Sequence, residues 1–398
     1  MCCLQISDSL VAVSHPEQLK LLETLEELVC LFRKLTNSSR VSLDARVHFM
    51  DVLWCYYWGQ WVSGRLNDAH GTGIEGAQYI RSHTTKSVPA FAGKSPEWLA
   101  AQALVLFDLG RIPDAITAAH EAYSTYQEEI DTQSYLGFDC FPPLILAIIL
   151  RQTGRESEAL WLLEDATSPD KCWAQGDWTA FHFLLAELAV IYVELEHFQL
   201  ALRAAKTAVA ACRDRLYKWD DCESGSTSSY YKLALAYALT ALSKCLSGHR
   251  SEESLLAAEE AARLCRQVMP LLGRVVAWLT GLRPQEITAS ALETYSIQLS
   301  TSGEYYKALA NAEQATNLHR ELVLMAERYL PSLANSLQNF ASILWEMGRR
   351  EDSIIALEEA VQIRSRLASV GSEQYLTAPL EHALGQLEKC ILITKHSE

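Results

Sequence analysis

The sequence is short of the features that announce most chemistries. It has little Gly and Pro, 18 and 11 in 398 residues, too few for a collagen-like or low-complexity chain. Positive charge is scarce: Lys and Arg total 34 against 49 Asp and Glu, a net charge of −15. A nucleic-acid binder needs a basic face to neutralise phosphate, so that class is excluded as an expectation. The 11 Cys have no regular spacing and no CxxC, which argues against a zinc ribbon or a disulfide framework. Cys55, Cys212, Cys245 and Cys265 sit within apolar helical patterns and read as buried free thiols, in a reducing, cytoplasmic setting. The most apolar stretch, residues 268–282, is short and contains Arg274 and two Gly, so no membrane span is expected. Residues 1–15 lack the basic start and apolar core of a signal peptide.

Catalytic motifs are missing as well. There is no GxxxxGK[ST], HExxH, GxSxG or EF-hand loop, and none of the 11 His stands four residues from another. Gly71, Gly73 and Gly76 match GxGxxG, but a dinucleotide site needs a strand before the glycines and a helix after them. An aromatic helix and a polar turn precede these, so they read as a distortion in a degenerate repeat. His182 and Glu187 share one helix without further ligands and read as structural. The pairs Glu259–Glu260 and Glu358–Glu359 read as solvated faces. No catalytic residue, cofactor or metal is predicted.

What the sequence does contain is a repeat. Apolar residues make up 49% and charged residues 21%, and long stretches are rich in the helix formers Ala, Leu, Glu and Gln. Several segments share one plan: an apolar helix, a turn marked by Gly, and a second helix with small residues five and twelve positions after that Gly. In the clearest unit Leu337, Phe340, Ala341 and Leu344 precede Gly348, and Ser353, Leu357 and Ala360 follow it. Leu292, Tyr295, Ser296 and Leu299 precede Gly303, with Ala308, Ala312 and Ala315 after it. Similar runs surround Gly110, Gly154 and Gly248. Glu196 holds the Gly position in another unit, and Gly64 marks a degenerate one. Residues three and four apart share a helix face, small residues let two helices approach closely, and the Gly supplies a left-handed cap. A single pair cannot bury its apolar face alone, so copies must stack.

This small–large pattern resembles the tetratricopeptide repeat (TPR). Its long period is similar to the kinesin-light-chain variety found in fungal and bacterial TPR arrays, most closely in the stretch through Phe340, Gly348 and Ala360 to Arg364. The resemblance implies an all-α fold, an α-α superhelix (a TPR-like helical-repeat solenoid), with a concave groove that binds peptides and performs no chemistry. Residues 1–94 are expected to form an N-terminal helical region with a degenerate repeat, 95–368 the array, and 369–398 a capping helix and tail. That last helix is placed over residues 377–392.

A capping box at residues 14–17 opens the first helix, and Trp54, Tyr56, Tyr57, Trp58 and Trp61 make an aromatic cluster expected in the core. Pro96 is expected at a first helical position. Loops are expected over residues 81–94, 167–176, 218–229 and 368–374. Residues 218–229 and 269–284 read as insertions that interrupt regular stacking. One constellation favours binding: Asn335, Gln338, Asn339 and Ser342 lie off the packing face of a first helix, where side-chain amides can hold an extended peptide backbone. The expected function is a non-enzymatic scaffold for a protein or peptide partner, with no nucleic acid and no membrane. A repeat tail of a larger signalling nucleotide-triphosphatase and an all-α toroid enzyme stand as alternatives.

Overall fold

The computed structural model describes residues 15–36, 42–83, 94–131, 141–168, 181–219, 225–247, 251–269, 282–370 and 377–395. Among them are sixteen α-helices, one 3-10 turn and no strand. The helices are α1 (His15–Thr36), α2 (Leu43–Val62), α3 (Leu66–His83), α4 (Lys94–Asp108), α5 (Ile112–Asp131), α6 (Phe141–Gln152), α7 (Glu156–Ala166) and α8 (Phe181–Glu194). They continue as α9 (Phe198–Trp219), α10 (Gly225–Leu246), α11 (Ser251–Val268), α12 (Pro284–Thr301), α13 (Tyr305–Met325), α14 (Leu330–Glu346), α15 (Arg350–Val370) and α16 (Thr377–Lys395). From α2 to α15 they come in pairs, even-numbered helices first and odd-numbered second, with α16 after the last pair, so the chain is a TPR-like array of helix–turn–helix units.

One turn makes most of these pairs. Gly64, Gly110, Gly154, Gly303 and Gly348 all have φ between 74° and 82°, and Glu196, the non-Gly residue in that place, has φ 60°. In each case the next residue donates its backbone N–H to a carbonyl five residues back, as in Arg111 to Leu106 and Arg349 to Leu344, both 2.9 Å. This wraps the last orphan carbonyls of the first helix and starts the second helix at once. The degenerate Gly64 unit uses the same turn, with Arg65 bonded to Gln60. The turn expected at Gly248 lies outside the described residues.

The turn fixes where the small residues fall. Ala69, Ala115, Ala159, Ala201, Ala308 and Ser353, each five positions on, are all buried. Ser353 adds an Oγ donation to the Ala341 carbonyl at 2.8 Å. At twelve positions on, Ala122, Ala166, Ala208, Ala315 and Ala360 are buried too. Gly76 holds that place in the first pair, and a Cβ there would overlap the Trp98 ring. The GxGxxG match is therefore a close helix contact inside α3. The aromatic cluster is core, with Tyr56, Tyr57, Trp58 and Trp61 buried and Trp54 stacked on Tyr57.

The chain divides into two compact units, one of Met1–Ala238 with Gln267–Pro284, the other of Leu239–Arg266 with Gln285–Glu398. In the second, Leu333, Leu337 and Ala341 of α14 pack on Ala356, Leu357 and Ala360 of α15, with Leu387 of α16 closing the cluster.

Several expected loops are shorter than the composition suggests. The Gly/Ser-rich end of 218–229 is the first turn of α10, because Tyr230 and Tyr231 bury just beyond it. There tertiary packing outweighs poor intrinsic propensity. Helix α3 runs on to His83, α4 starts at Lys94 ahead of Pro96, α15 continues to Val370, and α16 reaches Lys395. Ser14 of the capping box, residues 84–93, 169–176 and 371–374 of the loops, and 270–281 of the second insertion lie outside the described residues.

The end of that second insertion is part of the first unit's core. Leu282 and Arg283 are buried, and the Arg283 guanidinium lies 3.9 Å from the centre of the Trp61 ring. Its Nη2 donates to Asp108 Oδ2 at 3.0 Å, and both terminal nitrogens reach the Trp61 carbonyl at 3.3 Å. Trp61 Nε1 donates to the same carboxylate oxygen at 2.6 Å. A buried ion pair is strongly destabilised when one partner is removed, because the other charge is stranded.

Both geometries are open to test by unfolding. Glu196 sits in the left-handed region that costs a side chain about 1 kcal/mol, so Glu196→Gly should raise stability by about that amount in urea unfolding. Arg283→Met should cost about 3–5 kcal/mol, and Asp108→Asn added to it should recover part of that loss in a double-mutant cycle.

Candidate partner-binding face

The second unit holds the complete first helices α12 and α14, with α16 after the last pair. The odd-numbered second helices turn their small residues to the first helices and also carry exposed polar side chains, whereas the first helices are mostly buried, so the polar groups that do reach the surface on a first helix are few. On α14 the repeat spaces Asn335, Gln338, Asn339 and Ser342 along one side, with Asn335 and Ser342 exposed and Gln338 and Asn339 half-buried.

Each of the four has an internal contact. Arg364 of α15 donates from Nη2 to Asn335 Oδ1 and to Gln338 Oε1, both at 2.6 Å. Gln338 Nε2 donates to Gln386 Oε1 of α16 at 3.1 Å. Asn339 Nδ2 donates to Ser296 Oγ of α12 at 2.7 Å, and Ser342 Oγ donates to the Gln338 carbonyl at 3.0 Å. The amides thus tie α14 to α12 on one side and to α15 and α16 on the other. Arg364 is almost fully buried, and burial lowers its pKa from the ordinary arginine value. Side-chain amides carry both donors and acceptors, and two of these residues remain open to solvent.

Glu293 occupies the Gln338 position one repeat earlier. It is half-buried on α12, and desolvation pushes its carboxyl up to about 7, with Lys244 of α10 opposing. His319 of α13 is buried beside Ser336 Oγ, 3.1 Å from Nδ1, and burial drops it to about 4.

The sequence reads Glu187 as structural, and what it does not reveal is the set of partners that hold this carboxylate in the first unit. Glu187 is fully buried between Arg151 Nε, 2.5 Å away, and the Tyr237 hydroxyl, while Arg151 also reaches Glu194 at 3.1 Å. A lone charge within the apolar run of α8 was the available signal. His182 packs edge-on against Tyr231, with ring centres 5.5 Å apart. Cys212 and Cys265 are buried and free, and desolvation pushes both thiols up to about 12. Among the described residues no group of three or more His, Cys, Asp or Glu is placed to hold a metal, and no helix is long and apolar enough to cross a membrane.

No family model matches the sequence, and no curated protein matches it. Solved structures align with it at low identity. A thermophilic TPR protein of Thermus thermophilus shares 18% identity over 63% of this chain and 97% of its own, with a TM-score of 0.36. A Rap protein complexed with competence and sporulation factor shares 11% over 88% of this chain and 89% of its own, at 0.48. Yeast Tom70 shares 10% over 90% of this chain and 66% of its own, at 0.40. With TM-scores below 0.5, the repeat assignment rests on the turns and helix pairs of this chain itself.

The two perturbed groups predict opposite pH responses. Between about pH 4.5 and 7 native Glu293 keeps a proton that the unfolded chain has released, so its contribution to stability falls as pH rises. Glu293→Gln should therefore gain about 2–3 kcal/mol on the parent between pH 5 and pH 8 in urea unfolding. Native His319 stays neutral where the unfolded chain binds a proton, so its contribution is lost as pH falls from about 6.5 to about 4. His319→Asn should flatten that acid limb.

Proposed function

We propose that this chain is an interaction scaffold without catalytic activity, which binds a peptide or protein partner on the first-helix face of its C-terminal unit. Asn335, Gln338, Asn339 and Ser342 are the contact residues in this reading. The observation that carries it is the placement of amides and a hydroxyl on one side of α14, off the apolar cluster that α14 makes with α15. Their present partners are side chains or a local carbonyl, held by bonds that a peptide backbone offers in kind. Exchanging such hydrogen bonds costs little net energy, whereas burying an unpaired amide costs about 1–3 kcal/mol. The face therefore favours an extended backbone over an apolar ligand.

The non-enzymatic reading is supported by how the buried charges are used. Asp108 and Glu187 are each saturated by an arginine and an aromatic donor. Both carboxylates are buried behind these donors, so neither is presented to a substrate. In this reading residues 95–368 form the array proper, led by 1–94 and closed by 369–398. The free buried thiols suit a reducing cytoplasmic compartment.

Affinity capture tests the proposal. Partners retained by the immobilised parent chain should bind about 10-fold more weakly to Asn335→Ala/Asn339→Ala, if each lost amide removes about 0.5–1.5 kcal/mol. Circular dichroism should show unchanged helix content. Retention equal to the parent's would place the site elsewhere.

A further inference from the structure

Helix α1 carries a second apolar stripe that the described residues of its own unit leave exposed. Leu22, Leu25 and Val29 are buried in the core. About a quarter-turn around the helix lie Leu21, Leu28, Leu31 and Leu35, with Leu28, Leu31 and Leu35 exposed at 37%, 56% and 58%. Together with Thr24 these fall at spacings of 3, 4, 3 and 4, the a/d seam of two heptads. Three exposed leucines in line on one helix flank are more than the single scattered apolar side chains usual at a surface.

The charges beside the seam say what covers it. Taking Leu21, Leu28 and Leu35 as a and Thr24 and Leu31 as d, the g positions are Glu27 and Lys34, both exposed. The e positions, Leu25 and Phe32, turn toward the unit's own core, with Phe32 6.2 Å from Phe49. A parallel partner would set Glu27 against an apolar e residue. An antiparallel copy of the same helix sets g against g′, pairing Glu27 with Lys34 of the other copy and Lys34 with its Glu27. The same register places Leu28 against Leu31 and Leu35 against Thr24 of the other copy. Every contact is then reciprocal, as a two-fold axis requires.

We propose that α1 is a self-association element, and that the chain forms a two-fold homodimer through an antiparallel packing of this leucine seam. The seam and its flanking charges are self-complementary in that one register, so the occupant is a second copy.

Sedimentation equilibrium of the full chain tests this. The parent should approach twice its 44.5 kDa mass, and Leu31→Lys should sediment as a monomer. Glu27→Lys alone and Lys34→Glu alone each turn two symmetric attractions into repulsions, and should weaken the dimer by about 10-fold or more. The combined Glu27→Lys/Lys34→Glu swap restores both pairs and should restore dimerisation. A parent that stays monomeric up to tens of micromolar, as it would if the chain's own residues covered the seam, overturns the proposal. So does a swap no better than the single variants, an unaffected Leu31→Lys dimer, or open-ended assembly beyond two copies. The charge variants change only exposed residues, so they decide the matter even if Leu31→Lys fails to fold.

Discussion

Each helix pair with a described turn depends on one residue held in the left-handed region. That residue ends the first helix, sends the next N–H back five positions, and releases the second helix at a fixed angle. The rest follows from that angle. The position five residues on must meet the first helix closely, and the position twelve on must meet it again, so both are small. Large residues accumulate on the first helices, where space remains between neighbouring pairs. Five glycines accept this conformation freely, and Glu196 accepts it under strain, held by the same two backbone hydrogen bonds as its counterparts.

Within that frame the polar residues serve two purposes. Some secure the stack from inside: Arg151, Glu187 and Tyr237 join three successive first helices of one unit, and Asn339 with Ser296 joins two of the other. Others repeat on the outside, where Arg65–Asp68, Arg111–Asp114, Arg155–Glu158 and Arg349–Asp352 recur just after the turn. Exposed pairs of this kind add little stability each. The inner contacts carry the specificity of stacking, and the amides of α14 lie at the edge between the two groups.

The repeat was legible because its signal is local. Gly348 and Ser353 are five residues apart, and the physics linking them operates within one turn and one helix. Even the Gly64 copy and the Glu196 substitution were readable once the register was known. The placement of Asn335, Gln338, Asn339 and Ser342 on one side of a first helix was readable for the same reason. Their partners were not. Arg364 lies on the next helix, and nothing in its neighbourhood marks it as the residue that reaches between two amides. The start of α10 has the composition of a loop because Gly and Ser disfavour helix, while the burial of Tyr230 and Tyr231 that decides the matter is tertiary. Arg283 was the hardest, since its partners precede it by 222 and 175 residues.

That contact bears on how such an array can change length. Arrays whose units touch only their neighbours lengthen and shorten easily by whole units, since duplication or deletion leaves every interface intact. Here the pairs between Trp61 and Arg283 are bracketed by a contact that joins the two ends of the run. Any change in the number of those pairs would have to return Arg283 to Trp61 and Asp108 or leave a carboxylate stranded in the core. The contact thus sets a condition on the number of units in that stretch that nearest-neighbour stacking alone would not.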